Sequence, residues 1–247
     1  MLNQQALLII NTPMNIADQI QFVRLNIEQY AQESQHQSSL IRLLAVSKTH
    51  PASSIQQAFD SGVTEFGESY LQEALEKIIE LRELPIVWHF IGPLQSNKTK
   101  LVAENFDWVQ SVDREKILIR LNQQRPVKLP PLQVCLQANL FEEAQKQGAD
   151  LNLLPHLLAI TAELPNINLR GLMVIPPKQS NYQRQLEQFQ QVADIYSQLK
   201  QKHDINNTMD TLSMGMSGDM RAAINCGSNM VRVGTGIFGE RKVKPNG

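Results

Sequence analysis

Hydrophobic positions along the chain change repeatedly between two spacings. Near the N-terminus a helix over about 13–36 is predicted by apolar residues at steps of four and three: Ile16, Ile20, Val23, Ile27 and Tyr30. From about residue 40 onward, short runs rich in Val, Ile and Leu are separated by segments with helical spacing. The pattern therefore predicts strands that alternate with helices.

Eight strand-like runs can be counted, with a helical segment between each successive pair. Strands separated by helices form parallel sheets, because parallel neighbours need a long crossover connection. Eight such units predict a closed (β/α)8 barrel of the TIM type with an extra N-terminal helix; a doubly wound open sheet is the alternative. No linker divides the chain, so we expect one domain over 1–247, with the barrel at about 40–239 and a short polar tail at 240–247.

In a parallel barrel, ligands bind at the carboxyl ends of the strands. The first strand, in LLAVSKTHP, is predicted to end on Lys48, and the last strand is predicted over NMVRVGTGIFG. Barrels of this type often hold a phosphate between the loops after the last two strands. There Gly215 allows close backbone approach and Ser217 is the expected N-cap of the next helix, while Gly234 and Thr235 add donors. Taken singly, each could only cap a helix or ease a turn.

Two basic residues could face such a phosphate compound. A partly desolvated amine can attack an aldehyde, so Lys48 suits an imine with pyridoxal phosphate; an ordinary surface lysine is the plainer alternative. Arg232 alternates with Val231 and Val233, so it points into the barrel if the valines face the helices. A buried guanidinium needs a partner, and either a pyridine nitrogen or an inward carboxylate such as Glu68 would serve.

Composition narrows the classes of partner. The 247 residues carry a formal net charge of −1, which favours neither nucleic acid nor a membrane surface. The two cysteines, Cys135 and Cys226, cannot form a zinc site alone, so we expect no metal and a reducing, cytoplasmic compartment. No basic leader and no membrane-spanning run are evident. No long apolar seam is evident either, so a monomer is expected.

The motifs together resemble a known family, the pyridoxal phosphate homeostasis proteins, which are related to the barrel domain of bacterial alanine racemase. The resemblance covers about Leu40 to Gly239 and is carried by ordered segments: LLAVSKTHP, FGESYLQEA, WHFIGPLQSNK, LRGLMVIPP, LSMGMSGDM and MVRVGTGIFG. It implies pyridoxal 5′-phosphate as the cofactor. The family usually has asparagine where this chain has Ser69.

By that resemblance, Lys48 would carry the cofactor as an imine and Arg232 would contact the pyridine nitrogen. The residues expected to border the phosphate are Ser213, Met214, Gly215 and Ser217 on one side, with Gly234 and Thr235 opposite. The resemblance also implies a role in intracellular vitamin B6 homeostasis. Amino acids and transient contacts with apo-enzymes that use the cofactor are further expected partners.

Catalysis is the open question, since an amino-acid racemase is the alternative to a non-catalytic carrier. An arginine beside the pyridine nitrogen favours the neutral ring, which is a weaker electron sink. A racemase then needs an acid/base group on each face of its substrate, and alanine racemase takes its second group, a tyrosine, from a partner subunit. Tyr70 is the one tyrosine near a strand end and is expected only to pack, while His89 is expected in the core. We therefore expect no catalytic residues and little or no turnover.

Overall fold

Eight parallel strands close into a barrel in sequential order. The structure is a computed structural model that describes residues 14–35, 37–141, 147–202 and 209–240. The strands are β1 (Arg42–Val46), β2 (Glu65–Glu68), β3 (Val87–Phe90), β4 (Trp108–Val112), β5 (Leu132–Ala138), β6 (Ile167–Val174), β7 (Thr211–Met216) and β8 (Met230–Val233). β8 pairs with β1, with Arg42 opposite Met230 and Ala45 opposite Val233, which closes the barrel. The predicted (β/α)8 barrel is confirmed, and the open sheet is excluded.

Helices connect the strands and surround the barrel. They are α1 (Ile16–Glu33), α2 (Ala52–Asp60), α3 (Leu71–Glu80), α4 (Thr99–Asn105), α5 (Glu115–Gln124), α6 (Leu154–Thr161), α7 (Tyr182–Lys202), α8 (Met220–Asn225) and α9 (Thr235–Phe238). Short 3-10 turns at Ser38–Leu40 and Leu151–Leu153 precede β1 and α6.

The predicted N-terminal helix begins later than expected. The side chain of Asn15 accepts a hydrogen bond from the Asp18 amide at 2.9 Å, and the Asp18 carboxylate accepts one from the Asn15 amide at 3.4 Å. This reciprocal capping satisfies two backbone donors that the helix itself cannot. The helix therefore starts at Ile16, not at about residue 13.

The end of the barrel also differs from the prediction. The last strand was expected over 229–239, but β8 stops at Val233 and Thr235–Phe238 form a short helix. The amide of Ile237 donates to the Gly234 carbonyl at 2.9 Å, so the backbone turns at this point. The residues after Gly234 therefore face the barrel mouth as a helical turn.

The larger core lies between the barrel and its helices. It contains the largest fully buried side chains, which include Phe66, Phe90, Phe106 and Phe189. A smaller cluster, formed by Trp108, Cys135 and Met173, fills the barrel interior. Both sides of each strand are thus buried, as parallel sheets require.

His89 belongs to this barrel interior, as expected. It is fully buried, and its ring stacks on Trp108 with centroids 5.1 Å apart. Its Nδ1 lies 2.9 Å from Gln110 Nε2, and its Nε2 lies 3.1 Å from Glu65 Oε2. Burial lowers the pKa of His89, although the Glu65 carboxylate opposes this effect. His89 is therefore a buried core residue, in which Nε2 lies at ion-pair distance from Glu65 but makes no hydrogen bond of good geometry.

The N-terminal helix supports one side of the barrel mouth. It packs against α8 and α9, the helices that follow β7 and β8. Arg221 of α8 forms an ion pair with Glu33 at 2.9 Å and lies over the rings of Tyr30 and Tyr182, at 5.9 and 5.0 Å from their centroids. This gives the extra helix a structural role, because it supports the segments predicted to hold phosphate.

Some predictions concern parts of the chain that the structure does not describe. Residues 142–146 of the segment before α6, and the polar tail beyond Glu240, lie outside the described residues. The assignment of 1–247 to a single domain stays a prediction. Among the described residues, no helix has both the length and the apolar character needed to cross a bilayer.

Candidate functional site

A cavity of about 290 Å³ opens at the carboxyl end of the barrel. Its walls come from the ends of β1, β2, β3, β6, β7 and β8 and from the loops that follow them. Of the eight predicted site residues, five line it: Lys48, Ser217, Arg232, Gly234 and Thr235. Their convergence is a consequence of barrel closure, because β1 and β8 are neighbours although they are nearly 190 positions apart in the chain.

Lys48 lies in a tight turn rather than on the strand. β1 ends at Val46, and the Ser47 carbonyl accepts a hydrogen bond from the His50 amide at 3.1 Å. Thr49 has a φ of 69°, in the left-handed region that β-branched residues rarely adopt. The prediction that the strand ends on Lys48 is therefore wrong by two residues, because this turn bends the chain first. Lys48 is half-buried and lines the cavity.

Arg232 lies on the floor of the cavity. It is 4% exposed, and its guanidinium donates to the Ser213 carbonyl at 2.8 Å, the Ser213 hydroxyl at 2.9 Å and the Val174 carbonyl at 3.0 Å. Burial lowers the pKa of Arg232 to about 10, with Asp219 opposing this effect. The guanidinium is therefore charged at neutral pH, fixed in position, and held by neutral oxygens.

The alternative ion pair between Arg232 and Glu68 does not form. Glu68 binds the ammonium of Lys77 on α3 at 2.7 Å and the Ser47 hydroxyl at 2.7 Å. Strand alternation explains this result, since Glu65 points into the barrel toward His89 and Glu68 must then point toward the helices. Among the described ion pairs, none includes Arg232.

The loop after β7 forms one wall of the cavity. Ser217 is exposed there, and in the described part of the chain no backbone carbonyl accepts from the amides of Ser217 or Gly218. A Cβ at Gly236 would lie only 3.2 Å from Ser217 Oγ, so this loop and the start of α9 are in close contact. Two loops thus bring backbone and hydroxyl donors to one place.

Ser217 is not the N-cap of α8, contrary to the prediction. Asp219 occupies the N-cap position, and its Oδ1 accepts a hydrogen bond from the Met216 amide at 2.6 Å. The carboxylate thereby closes the turn from β7 into α8. The Ser217 hydroxyl is consequently not used in capping.

Three predicted residues lie behind the cavity wall. Ser213 donates to Gln110 at 2.7 Å and helps to fix Arg232, while Met214 faces the core around the barrel. Gly215 has a φ of 90°, and a Cβ there would lie 2.5 Å from the Ala223 Cβ, so it permits close packing of α8. None of the three lines the cavity, and their contact with a phosphate stays a prediction.

His50 is one of several cavity residues that sequence reasoning missed, as is Gly218. The ring of His50 lines the cavity and stacks on Phe238 of α9, with centroids 5.1 Å apart. Its position two residues after Lys48 was the available signal.

Ser69 also lines the cavity. Tyr70 does not line it and is 51% exposed, so the prediction that this side chain packs in the interior is wrong. That Tyr70 does not act as a second base stays a prediction.

Comparisons with known proteins agree with this geometry. A family model described as alanine racemase, N-terminal domain, matches residues 20–242. The pyridoxal phosphate homeostasis protein of Vibrio cholerae is 50% identical over 236 residues, covering 94% of this chain and 99% of that protein. The protein of the same name from Escherichia coli K12 is 50% identical over 230 residues, covering 92% and 97%. The predicted resemblance is confirmed.

Solved structures show the same fold. PipY of Synechococcus elongatus PCC7942, solved with PLP bound, is 35% identical with a TM-score of 0.76 and covers 86% of this chain and 99% of its own. Alanine racemase from Corynebacterium glutamicum is 14% identical with a TM-score of 0.65, and this chain covers 62% of it. The second similarity concerns the barrel fold alone.

Proposed function

Because this chain belongs to the pyridoxal phosphate homeostasis protein family, built on the alanine racemase N-terminal domain, we propose that it binds pyridoxal 5′-phosphate. Lys48 carries the cofactor as an imine, and the protein serves intracellular vitamin B6 homeostasis with little or no turnover. The observation that carries the proposal is one cavity in which Lys48, Arg232 and the loops after β7 and β8 meet.

The phosphate would bind between the two loops. The amides of Ser217 and Gly218 and the hydroxyls of Ser217 and Thr235 lie at this wall of the cavity. Charge-assisted hydrogen bonds from such donors are stronger than neutral ones. Ser213, Met214 and Gly215 would support this wall from behind.

Lys48 would form the covalent attachment. Bound pyridoxal phosphate supplies an aldehyde that reacts with amines and a ring that can withdraw electrons. The neutral Nζ of Lys48 attacks the aldehyde carbon, a C–N double bond replaces the C–O double bond, and one water leaves. Holding the aldehyde in this way keeps it from other amines in the cell.

Arg232 would face the pyridine nitrogen. Its guanidinium is fixed by the carbonyls of Ser213 and Val174 and remains charged at neutral pH. A cation beside the nitrogen disfavours protonation of the ring, since like charges repel. The unprotonated ring is a weak electron sink, which supports a role in binding more than in catalysis.

The proposal extends to location and partners. A cytoplasmic monomer would exchange its cofactor with amino acids, or through transient contacts with apo-enzymes, by way of the cavity that opens at the barrel mouth. The net charge of −1 favours neither nucleic acid nor a membrane as a partner. These contacts need no nucleic acid and no membrane.

Replacing both Ser217 and Thr235 with alanine is expected to weaken cofactor retention. Each lost bond to a charged phosphate is worth roughly 1.5–3 kcal/mol, or about ten- to hundredfold in affinity. Equilibrium dialysis with pyridoxal phosphate measures the change. Ser39→Ala, an exposed serine before β1 at the other end of the barrel, is the matched control. Equal retention by the double variant and the control would argue against this phosphate site.

An amino-acid racemase is the second candidate, and His50 is the observation that favours it. His50 and Lys48 both line the cavity and both could transfer protons. We expect no D-alanine above the level of Lys48→Ala when the cofactor-loaded protein is incubated with L-alanine. Sustained D-alanine formation that His50→Gln abolishes would establish the racemase instead.

A further inference from the structure

The turn that carries Lys48 has an unfavourable backbone conformation. Thr49 is a β-branched residue with a φ of 69°, and only one other non-glycine residue in the described part of the chain, Gln35, has a positive φ. Such a conformation persists only where surrounding contacts determine it, and it is found often at functional sites. The contacts that hold Thr49 therefore also determine where Lys48 points.

Those contacts come from α3 and from the end of β2, behind the turn. The ammonium of Lys77 donates to the Ser47 carbonyl at 3.0 Å, to Glu68 at 2.7 Å and to Glu73 at 2.5 Å. The same Glu73 oxygen accepts from the Thr49 amide at 2.6 Å, and Glu68 accepts from the Ser47 hydroxyl at 2.7 Å. The residues on both sides of Lys48 are thus bonded to one group of charges.

This group of charges lies outside the cavity. Lys77 and Glu73, with Thr49, line a separate surface groove, whereas Lys48 lines the cavity. Lys77 is only 5% exposed and Glu68 is fully buried. A buried ion pair adds little net stability compared with apolar packing, because desolvation offsets the attraction. These bonds instead fix the position of the turn. Besides one another, the charged groups of Lys77, Glu68 and Glu73 bind only the Ser47 carbonyl, the Ser47 hydroxyl and the Thr49 amide among the described hydrogen bonds.

We propose that Lys77 and Glu73 are positioning residues that hold the Ser47–Thr49 turn and so aim the amine of Lys48 into the cavity. This inference rests on the proposed attachment of the cofactor at Lys48. It makes the rate of imine formation depend on two residues that do not themselves line the cavity. Misplacement of a reacting group by about 1 Å can cost on the order of a hundredfold in rate.

The test measures imine formation and non-covalent binding separately. Glu73→Ala is expected to slow the appearance of the visible imine band on mixing with pyridoxal phosphate by about tenfold. Lys77→Met, which also loses the Ser47 contact, should slow it further. Affinity for pyridoxine 5′-phosphate, which has an alcohol in place of the aldehyde, should stay within about twofold in Glu73→Ala, because Glu73 does not line the cavity. Glu76→Ala, on the same helix, is the control and should match the unchanged protein.

A second substitution tests the route of the effect. Adding Thr49→Gly to Glu73→Ala should restore most of the lost rate, because glycine adopts a positive φ without support. Failure to restore it, an equal rate in Glu73→Ala and Glu76→Ala, or a parallel loss of pyridoxine phosphate affinity would overturn the inference. If the unchanged protein forms no imine at Lys48, the proposed function itself fails, which is a distinguishable result.

Discussion

Replacing Lys48 with alanine is expected to abolish the imine that borohydride can reduce, and with it the visible absorption of the loaded protein. Lys48 lines the cavity, and its two neighbours in the turn are fixed by hydrogen bonds: Thr49 to Glu73, and Ser47 to Lys77. Among the described residues that line the cavity, Lys48 is the one lysine, so a different described amine would require a change in the position of the aldehyde. Absorption spectra and mass measurement after reduction check the result.

The same variant should retain part of its non-covalent binding. The proposed phosphate donors at Ser217, Gly218 and Thr235 are untouched, so affinity for pyridoxine 5′-phosphate should stay within about tenfold. Lys100→Ala, which removes an exposed lysine in a 3.8 Å pair with Glu104, is the control and should form the imine normally. A reducible adduct of undiminished yield in Lys48→Ala would contradict the assignment.

Substitution of Arg232 by methionine is expected to weaken cofactor binding by about ten- to hundredfold, because the proposed bond from its guanidinium to the ring nitrogen would be lost. The effect on stability should be small. Burial lowers the pKa of Arg232 to about 10, which corresponds to a free-energy cost on the order of 3 kcal/mol for burying the charged guanidinium in the folded state. Methionine carries no charge and avoids this cost. The Ser213 carbonyl, the Ser213 hydroxyl and the Val174 carbonyl lose their donor at about 1 kcal/mol or more each, which roughly offsets that gain.

Arg125 provides a matched control for this prediction. It is also buried, at 6% exposed, and donates to the carbonyls of Ala103, Phe106 and Pro130. Burial also lowers the pKa of Arg125, so Arg125→Met should change the free energy of unfolding about as much as Arg232→Met does, and it should leave cofactor affinity unchanged. Urea unfolding and equilibrium dialysis measure both quantities. Arg232→Met that is strongly destabilised yet binds normally would show that Arg232 serves the fold alone.

The sequence predicted the barrel because alternation of period is a local signal that repeats. Each helix and strand carries its own spacing, and eight such units leave few closed arrangements. The convergence of Lys48 with Arg232, Ser217, Gly234 and Thr235 followed from topology, since β1 and β8 become neighbours when the barrel closes. None of these placements required knowledge of side-chain contacts.

The errors occur where a hydrogen bond between near neighbours ends an element. The turn after Ser47, the cap at Asn15 and the carboxylate of Asp219 each stop or start an element two or three residues from the predicted position. Ser, Thr, Asn and Asp side chains can all form such bonds, so the residue types alone did not show which residue would cap the helix or close the turn. The residue at which each element begins or ends depends on local backbone geometry, which cannot be predicted from the spacing of apolar residues.

The hydrogen bonds that hold the turn around Lys48 could not be predicted from the sequence. Lys77 lies 29 positions after Lys48, on a helix whose spacing predicts only an amphipathic face. Its contact with the Ser47 carbonyl follows from the packing of α3 beside the end of β1. Contacts of this kind depend on the angle between elements, which is determined only when the whole barrel assembles.

Borohydride reduction of the unchanged protein loaded with pyridoxal phosphate, followed by digestion and peptide mass mapping, tests the central claim most directly. We expect one phosphopyridoxyl adduct, on the peptide that contains Lys48. An adduct on a different lysine, or no adduct on a protein that binds the cofactor, would contradict the account.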